Sequence, residues 1–190
     1  MRSILLAVLL LALAGTSWAI DIKGKWGLGV GTGSFIGSGA EASLIRGKTE
    51  RTAWILDLDL YQSYSELRTD STGRIFDRDA ETNLTLGPRI RRYSRPQAKL
   101  SPYVDGFFHL RGSGSTYING GRYNAGGELG IAGGAEYFTP WHFGLAAHTG
   151  ILSVAVERIW DGQRGKVVAH GWRVFSKIGI IPWIQFRVYF

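Results

Sequence analysis

The sequence predicts an all-β protein: an eight-stranded antiparallel up-and-down transmembrane β-barrel over residues 20–190, preceded by an N-terminal signal peptide over residues 1–19. Eight stretches alternate apolar and mixed side chains with a period of two, the spacing at which side chains share one face of a strand. The connections between them alternate between short and long, as in barrels whose two chain ends lie on one side of a membrane. The composition agrees, since 27 glycines, 7 Trp, 8 Tyr and 9 Phe favour strands and tight turns.

The N-terminal prediction rests on the three parts of a secretory signal peptide. Arg2 supplies a positive charge, residues 4–14 form an apolar run, and Ser17 and Ala19 flank Trp18 as a small-x-small cleavage site. The apolar run is too short to cross a bilayer as a helix. We therefore expect cleavage after Ala19 and export of the chain.

Composition also excludes several classes of protein. The chain has no cysteine, which excludes a disulfide scaffold and thiolate chemistry. After residue 19, no apolar run approaches the roughly 18 to 20 residues that a spanning helix needs. The net charge of +7 is dispersed along the chain, so we expect no nucleic-acid partner, because that binding requires clustered basic residues.

The first four predicted strands cover Lys23–Gly33, about Gly37–Arg46, about Thr52–Ser63 and about Glu81–Tyr93. In each strand, every second residue belongs to an apolar row that we assign to the lipid-facing surface. In strand order these rows are Trp26, Leu28 and Val30; Ala40, Ala42 and Leu44; Trp54, Leu56, Leu58 and Leu60; and Leu84, Leu86, Pro88 and Ile90. Because a proline lacks the N–H that a ladder needs, we expect a local bulge in the fourth strand that leaves both faces unchanged.

The last four predicted strands contain Tyr103–Arg111, Tyr123–Tyr137, Phe143–Ile151 and Trp172–Phe190. Their outward rows follow the same alternation. These rows are Val104, Phe108 and Leu110; Leu129, Ile131, Gly133 and Ala135; Phe143, Leu145, Ala147, Thr149 and Ile151; and Ile178, Ile180, Pro182, Ile184, Phe186, Val188 and Phe190. A second bulge is expected at Pro182 for the same reason as at Pro88.

The connections set the orientation of the barrel. Gly47–Arg51, Ser94–Ser101 and Phe138–Trp141 are predicted as short turns, and Ser65–Ala80, Gly112–Arg122 and Glu157–Gly165 as longer outer loops. The exception is the first outer turn, near Thr32–Phe35, which is very short. Aromatic residues near the strand ends are expected to form two interfacial girdles. They are Trp26, Trp54, Tyr93, Tyr103, Tyr137, Trp141, Phe143 and Phe190 at one end, and Tyr64, Tyr117, Tyr123, Trp160 and Trp172 at the other.

The Gly29-x-Gly31-x-Gly33 spacing in the first strand also invites a dinucleotide-binding interpretation. That motif requires a following helix and an acidic residue in a βαβ unit, and neither is present. Glycines facing a crowded lumen explain the spacing better.

The inward rows predict a charged lumen. Six basic and six acidic residues fall on these rows, and opposite charges held by hydrogen bonds recover much of the cost of burial. The predicted lumen network is Lys25, Glu41, Asp57, Asp59, Arg89, Arg91, Asp105, Arg111, Glu128, Glu136, Lys177 and Arg187. Since the interior of an eight-stranded barrel is just wide enough for side chains to fill, this network is expected to plug it. His109 and His148 are expected to be lumen histidines with satisfied hydrogen bonds.

The C-terminal strand ends on a continuous apolar face formed by Ile184, Phe186, Val188 and Phe190. This face resembles the closing strand of bacterial outer-membrane barrels, whose assembly machinery reads such a pattern. With the signal peptide and the eight alternating stretches, the mature chain resembles the small OmpA/OmpX/OmpW-type barrels. The resemblance implies location in the bacterial outer membrane as a monomer, contact with outer-membrane lipids and lipopolysaccharide, and recognition by the assembly machinery through these four residues.

The resemblance also covers barrels that modify lipids. Lipid A deacylases of this shape use a His-x-Ser motif on a strand, whereas this chain has His148-Thr149-Gly150 at its nearest approach. The His, Asp and Ser trio of palmitoyl-transferring barrels has no counterpart that we can place. We therefore expect no enzyme, no catalytic residues, no metal and no cofactor, and keep a lipid-modifying outer-membrane enzyme as the least favoured alternative.

Three functions stay open at this point. The first is a structural envelope protein whose outer loops contact lipopolysaccharide or a partner. The second is a conduit for small hydrophobic molecules. The third is a water-soluble exported barrel of the lipocalin type, which would place its apolar rows inside. The charges on the opposite rows favour the apolar-outward arrangement and hence a membrane protein.

Overall fold

The computed structural model describes residues 21–33, 39–69, 75–96, 98–117, 120–163, 166–178 and 182–190. The predicted signal peptide lies outside these residues. The described chain forms nine antiparallel strands, which are β1 (Trp26–Gly33), β2 (Gly39–Gly47), β3 (Thr52–Thr69), β4 (Ile75–Tyr93), β5 (Leu100–Tyr117), β6 (Gly120–Phe138), β7 (Phe143–Gln163), β8 (Lys166–Ile178) and β9 (Pro182–Tyr189). None of the described residues belongs to a helix long and apolar enough to span a membrane.

The strands form a closed ring. Strands β1 to β7 pair in chain order, and β9 pairs with both β7 and β1, so the sheet has no overall start or end. The predicted class, an antiparallel up-and-down barrel, is confirmed. We call the end that holds Asp21, Phe190 and the three short turns the terminal end, and the opposite end the distal end.

The predicted eighth strand is two strands lying end to end along β7. β8 pairs with the distal half of β7 as far as Leu152↔Ile178, and β9 pairs with the terminal half from Thr149↔Pro182. Two β7 residues lie between these pairs, whereas three residues separate Ile178 from Pro182. The extra residue and the missing proline N–H account for the break where a bulge was expected. The outward face is the same in both halves.

The predicted long outer loops are mostly strand, which corrects that part of the sequence prediction. The β3–β4 ladder extends to Thr69↔Ile75, the β5–β6 ladder to Tyr117↔Gly120 and the β7–β8 ladder to Gln163↔Lys166. The second and third hairpins therefore leave only two residues between their strands. Polar residues can continue a strand beyond the apolar rows, because water there satisfies their side chains, and hydropathy does not distinguish such a strand from a loop.

The described outward rows lie on the exposed side of the wall, as predicted; Ile180 and the side chain of Pro182 lie outside the described part. Leu58, Leu86 and Phe108, for example, are 45%, 43% and 46% exposed although they are apolar. The expected bulge at Pro88 is wrong: the β3–β4 register passes through Leu56↔Pro88 without a shift. A bulge that the sequence did not predict lies in β7, between the pairs Ile131↔Leu152 and Ala132↔Gly150.

The bulge at Ile151 exchanges the two faces of β7. Beyond it Leu152, Val154 and Val156 are exposed, while Ser153 and Glu157 are buried. The distal half of β7 thus brings a carboxylate into the lumen that an unbroken alternation from Phe143 would place outside.

The wall is not equally high around the ring. β2 pairs with β3 only as far as Gly39↔Tyr61, and β1 pairs with β9 only as far as Gly33↔Trp183. Among the described residues, β3 beyond Tyr61 has ladder partners only on β4, and β8 only on β7. Within the described part of the chain, no strand therefore lies between the distal part of β3 and β8.

Candidate functional site in the barrel lumen

The terminal end of the lumen is closed by an apolar and aromatic plug. Its members are at most 3% exposed and comprise Ile22, Ile45, Ala53, Ile55, Tyr93, Tyr103, Phe138 and Tyr189. The rings of Tyr93 and Phe138 lie 5.9 Å apart between centroids, and those of Phe138 and Tyr189 lie 5.8 Å apart. Gly24, with φ of 75°, turns the chain so that Ile22 covers the mouth of the barrel. The plug leaves the terminal end filled by side chains.

Glu136 on β6 lies immediately above the plug and is fully buried. Its Oε2 is 3.0 Å from Nη1 of Arg91 and 2.7 Å from Nη1 of Arg187. The hydroxyl of Tyr93 donates to the same oxygen at 2.7 Å, and the hydroxyl of Tyr189 donates to Oε1. One carboxylate thus joins β4, β6 and β9 across the lumen with charge-assisted hydrogen bonds.

Arg91 makes a second, bidentate ion pair. Its Nε and Nη2 each lie 2.8 Å from an oxygen of Asp105 on the neighbouring strand β5. Its guanidinium also lies over the ring of Tyr103, 3.4 Å from the centroid. The planar guanidinium is therefore held by two carboxylates and a ring, a geometry that a lysine ammonium could not reproduce.

Arg89 forms the next layer towards the distal end. Its Nε is 2.7 Å from Oδ2 of Asp57, and its Nη1 and Nη2 lie 3.4 Å from Asp105 and 3.7 Å from Glu41. Nε2 of His148 lies 3.4 Å from Nη1, so this imidazole nitrogen accepts from the guanidinium. Three carboxylates around one arginine bind β2, β3, β4 and β5 together.

Both predicted lumen histidines are buried, at 6% and 7% exposure. The expectation of satisfied hydrogen bonds is wrong, because Nε2 of His109 and Nδ1 of His148 have no hydrogen-bond partner among the described residues. Nε2 of His109 lies 3.5 Å from Asp57, and its ring stacks on Phe107 at 4.7 Å between centroids. The ring of His148 stacks on Trp183 at 6.0 Å. Neither imidazole is paired with a serine hydroxyl among the described residues.

The distal part of the lumen holds a third, more exposed layer. Nη1 of Arg111 is 2.8 Å from Glu128 and 4.0 Å from Glu157, and Nη2 of Arg173 is 2.6 Å from Glu157. The side chain of Arg173 is 49% exposed. A cavity of about 10 Å³ lies beside Arg111 and has room for about one water molecule.

The structure brings nine of the twelve predicted network residues into ion pairs and leaves three apart. Lys25 is half-buried at the terminal rim, and its ammonium has no carboxylate within 4.0 Å among the described residues. Lys177 is exposed, with its ammonium 5.2 Å from the ring centroid of Phe175. Asp59 is directly opposite Glu41 in the β2–β3 ladder, and its buried Oδ1 has no hydrogen-bond partner in the described part of the chain.

Some lumen residues were not found from the sequence. Glu157 was assigned to a loop, and the bulge at Ile151 reverses the face that a simple count would give it. Arg173 has an odd number, like Lys177, and so belongs to the same face of the predicted last strand. Extending the inward row of that strand would have identified it. Gln185, which donates to Glu41 and Ser43 at 3.2 and 2.9 Å, is uncharged and carried no signal beyond its inward position.

The predicted aromatic girdles need one correction. Tyr93 and Tyr103 are 2% and 3% exposed and belong to the plug. Both residues have odd numbers and fall on the inward rows of β4 and β5. The alternation of the two faces therefore places them inside the barrel, although they lie near strand ends. Trp26, Trp54 and Trp141 are 43%, 53% and 77% exposed at the terminal end, as girdle residues should be. The side chains of Tyr64 and Tyr117 lie outside the described part.

The four C-terminal residues of the predicted assembly signal lie on the outer surface. Phe186 and Phe190 are 64% and 66% exposed, Val188 is 42% exposed and Ile184 is half-buried. Val188 lies between Leu28 of β1 and Phe143 of β7. The backbone of Phe190 exchanges two hydrogen bonds with Trp26, at 2.8 and 2.9 Å, and so completes the closure of the ring.

The lumen chemistry is that of a structural network. Ser153 donates to Glu128 and Ser43 accepts from Gln185, and neither hydroxyl is hydrogen-bonded to an imidazole among the described residues. In the same part of the chain, no group of His, Asp and Glu side chains is arranged to hold a metal ion. The carboxylates are instead occupied by arginines, which holds non-adjacent strands together across the barrel.

A closed antiparallel ring with apolar residues outside and paired charges inside defines a membrane-type β-barrel. Comparison with solved structures agrees. The fold matches Neisserial surface protein A (NspA) with a TM-score of 0.51 and 16% identity, over 87% of this chain and 94% of that one. It matches a major outer membrane protein from Thermus thermophilus with a TM-score of 0.50 and 12% identity, over 87% and 98%. The chain therefore has the fold of a small outer-membrane β-barrel. No protein-family model and no curated protein sequence matches it.

Proposed function

We propose that this protein is an integral barrel of the bacterial outer membrane with a structural role in the envelope and a lumen that does not conduct ions. Its apolar rows cover the outer surface, and its terminal end faces the periplasm, as expected for the end that carries both termini and the short turns. The distal end then meets the outer leaflet, where lipopolysaccharide is the expected contact.

The observation that carries the non-conducting lumen is the fully buried layer around Glu136. Arg91, Glu136 and Arg187 each have 0% side-chain exposure, and the aromatic plug lies directly beneath them. An ion crossing this layer would have to displace paired charges, and removing one partner of a buried pair costs about 3 to 5 kcal/mol. Among the described residues, this layer and the plug beneath it support a lumen without a continuous water path.

Planar-bilayer recording of the folded monomer tests this function. We expect no single-channel steps of porin size, while Arg91→Ala combined with Glu136→Ala should introduce leak currents. Fractionation with a heat-modifiability gel should place the protein in the outer-membrane fraction with a mobility shift on boiling. Stable porin-sized steps from the unsubstituted monomer, or an aqueous periplasmic location, would contradict the proposal.

A second candidate function, a conduit for small hydrophobic molecules, is favoured by the lack of a strand between distal β3 and β8 among the described residues, a position that we call the gap. Beneath this gap, Val30, Gly31, Thr32, Ile184 and Phe186 line an outward-facing groove of about 470 Å³ where β1 meets β9. An apolar solute could pass from the groove through the gap without crossing the Glu136 layer.

Entry of the fluorophore N-phenyl-1-naphthylamine into intact cells tests the conduit. Val30→Trp should fill the groove and lower the uptake that expression of the protein produces, whereas Leu58→Trp, on the same outer surface away from the groove, should not. Uptake that is unchanged by expression of the protein would eliminate this second function.

A further inference from the structure

Arg158 is an exposed arginine without a counter-ion among the described residues, at the distal end of the wall. The other arginines described there have carboxylate partners: Arg111 has Glu128 at 2.8 Å, Arg122 has Asp161 at 2.6 Å and Arg173 has Glu157 at 2.6 Å. Arg158 has no carboxylate oxygen within 4.0 Å in the described part of the chain. Its charge is therefore available to a group outside the chain.

The position of Arg158 is that of a lipid headgroup contact. It continues the outward row of Leu152, Val154 and Val156, which are 42%, 47% and 42% exposed, and is itself exposed. It follows Phe143 by fifteen residues on β7. At about 3.3 Å per residue and a strand tilt of about 40°, this places it roughly 35 Å above the terminal girdle. The apolar band of such barrels is only about 25 Å tall, so Arg158 lies beyond the hydrocarbon.

Two tryptophans flank the guanidinium of Arg158. Its central carbon lies 5.5 Å from the ring centroid of Trp160 and 5.8 Å from that of Trp172, its partner in the β7–β8 ladder. On the other side its ladder partner is Ala125 of β6, whose small side chain leaves room beside it. Cation–π contacts hold an arginine by its face and leave its N–H edge free to donate.

We propose that Arg158, Trp160 and Trp172 form a binding site for a phosphate group of lipid A, the membrane-embedded part of lipopolysaccharide. A guanidinium edge matches two phosphate oxygens in a bidentate arrangement, and indoles favour the boundary between headgroups and acyl chains. The acyl chains would lie along the exposed Val154, Val156 and Val174 below the site. This site rests on the proposed function, because it requires the distal end to face the outer leaflet.

The test measures lipid A binding by the folded full-length barrel in detergent, with native mass spectrometry. The probes are bisphosphorylated lipid A, the same lipid without its phosphates, and phosphatidylglycerol. We expect the unsubstituted protein to bind bisphosphorylated lipid A roughly tenfold or more tightly than the dephosphorylated lipid, the scale of one or two hydrogen bonds to a charged group. Arg158→Gln should abolish most of this preference, and Arg158→Lys should retain part of it.

The matched control is Arg46, which also lies over a tryptophan, 4.7 Å from the ring centroid of Trp26, but at the terminal end. Arg46→Gln should leave the phosphate preference unchanged, and heat-modifiability gels should show all three variants folded. A preference that survives Arg158→Gln, or that Arg46→Gln removes equally, would overturn the site while leaving the envelope function intact. If phosphatidylglycerol binds as tightly as bisphosphorylated lipid A, the site accepts the phosphate of any lipid, and the assignment to lipid A is overturned. Equal binding of both forms of lipid A by the unsubstituted protein would overturn the site alone, whereas binding of neither form would also overturn the proposed lipopolysaccharide contact.

Discussion

Nη1 of Arg187, in the last strand, lies 2.7 Å from Oε2 of Glu136, in β6, and both side chains are fully buried. β7 lies between these two strands in the sheet, so the ion pair passes over the inner face of β7. Because β9 also closes the ring against β1, the contact links the closing strand to the middle of the chain. Arg187 thus belongs to the barrel wall through its backbone in β9 and to the lumen network through its side chain.

The first prediction concerns Glu136. Glu136→Gln should lower the free energy of unfolding by about 3 to 5 kcal/mol, because it leaves Arg91 and Arg187 buried without their shared carboxylate. Urea titration of the refolded barrel in detergent, followed by gel mobility, measures the change. Glu50→Gln, in an exposed turn, is the control and should shift the midpoint little. Equal midpoints for the two variants would mean that the Glu136 layer contributes nothing to stability.

The second prediction compares two aspartates on the same face of β3. Asp57 is the nearest partner of Arg89, at 2.7 Å, so Asp57→Asn should destabilise the fold by about 1 to 3 kcal/mol. Asp59 is directly opposite Glu41 and has no ion pair among the described residues. Like charges directly opposite each other in a ladder are destabilising, so Asp59→Asn should be neutral or stabilising. The two unfolding midpoints should therefore move apart, and a parallel loss in both variants would contradict the assigned pairing.

The inward rows were predictable because period-two alternation fixes the face of each residue wherever a strand is regular. Asp57, Arg89 and Arg91 all lie inside, as their parity requires. The pairing of particular charges was not predictable, because it depends on the register between strands. Asp59 illustrates this, since its face was assigned correctly but the register places it against Glu41 and not against a base.

The sequence prediction fails in two situations. In one, a bulge interrupts the alternation; in the other, both faces of a strand are polar and hydropathy does not distinguish them. One unpaired residue, Ile151, reverses the inner and outer faces of distal β7 and brings Glu157 inside. Polar strand ends beyond the apolar rows were interpreted as loops. The short wall at β1 and β2 agrees with the very short first outer turn in the sequence prediction. The lack of a described strand between distal β3 and β8 was not predicted, because it depends on the length of β3, which the prediction made too short.

The third prediction tests the lipid-facing surface. Leu86→Arg places a charge in an exposed apolar row and should cost about 2 to 4 kcal/mol if that position is near the midplane of the bilayer. Folding yield in phospholipid vesicles, scored by heat modifiability, measures this cost. Glu50→Arg introduces the same side chain in an exposed turn at the terminal end and should fold with normal yield. Equal yields for both variants would show that Leu86 does not face hydrocarbon.

The fourth prediction separates two roles of Phe190. Its side chain is 66% exposed, whereas its backbone is hydrogen-bonded to Trp26, so it has little to contribute to packing within the chain. If the aromatic ring is read during assembly, Phe190→Ala should lower the amount of inserted protein in cells far more than it lowers synthesis. The same variant should refold in detergent, without assembly machinery, almost as well as the unsubstituted chain. Phe143→Ala, an exposed aromatic at the same end, is the matched control and should insert normally. An equal loss in cells and in detergent would assign Phe190 a structural role, and normal insertion in cells would exclude it from the assembly signal.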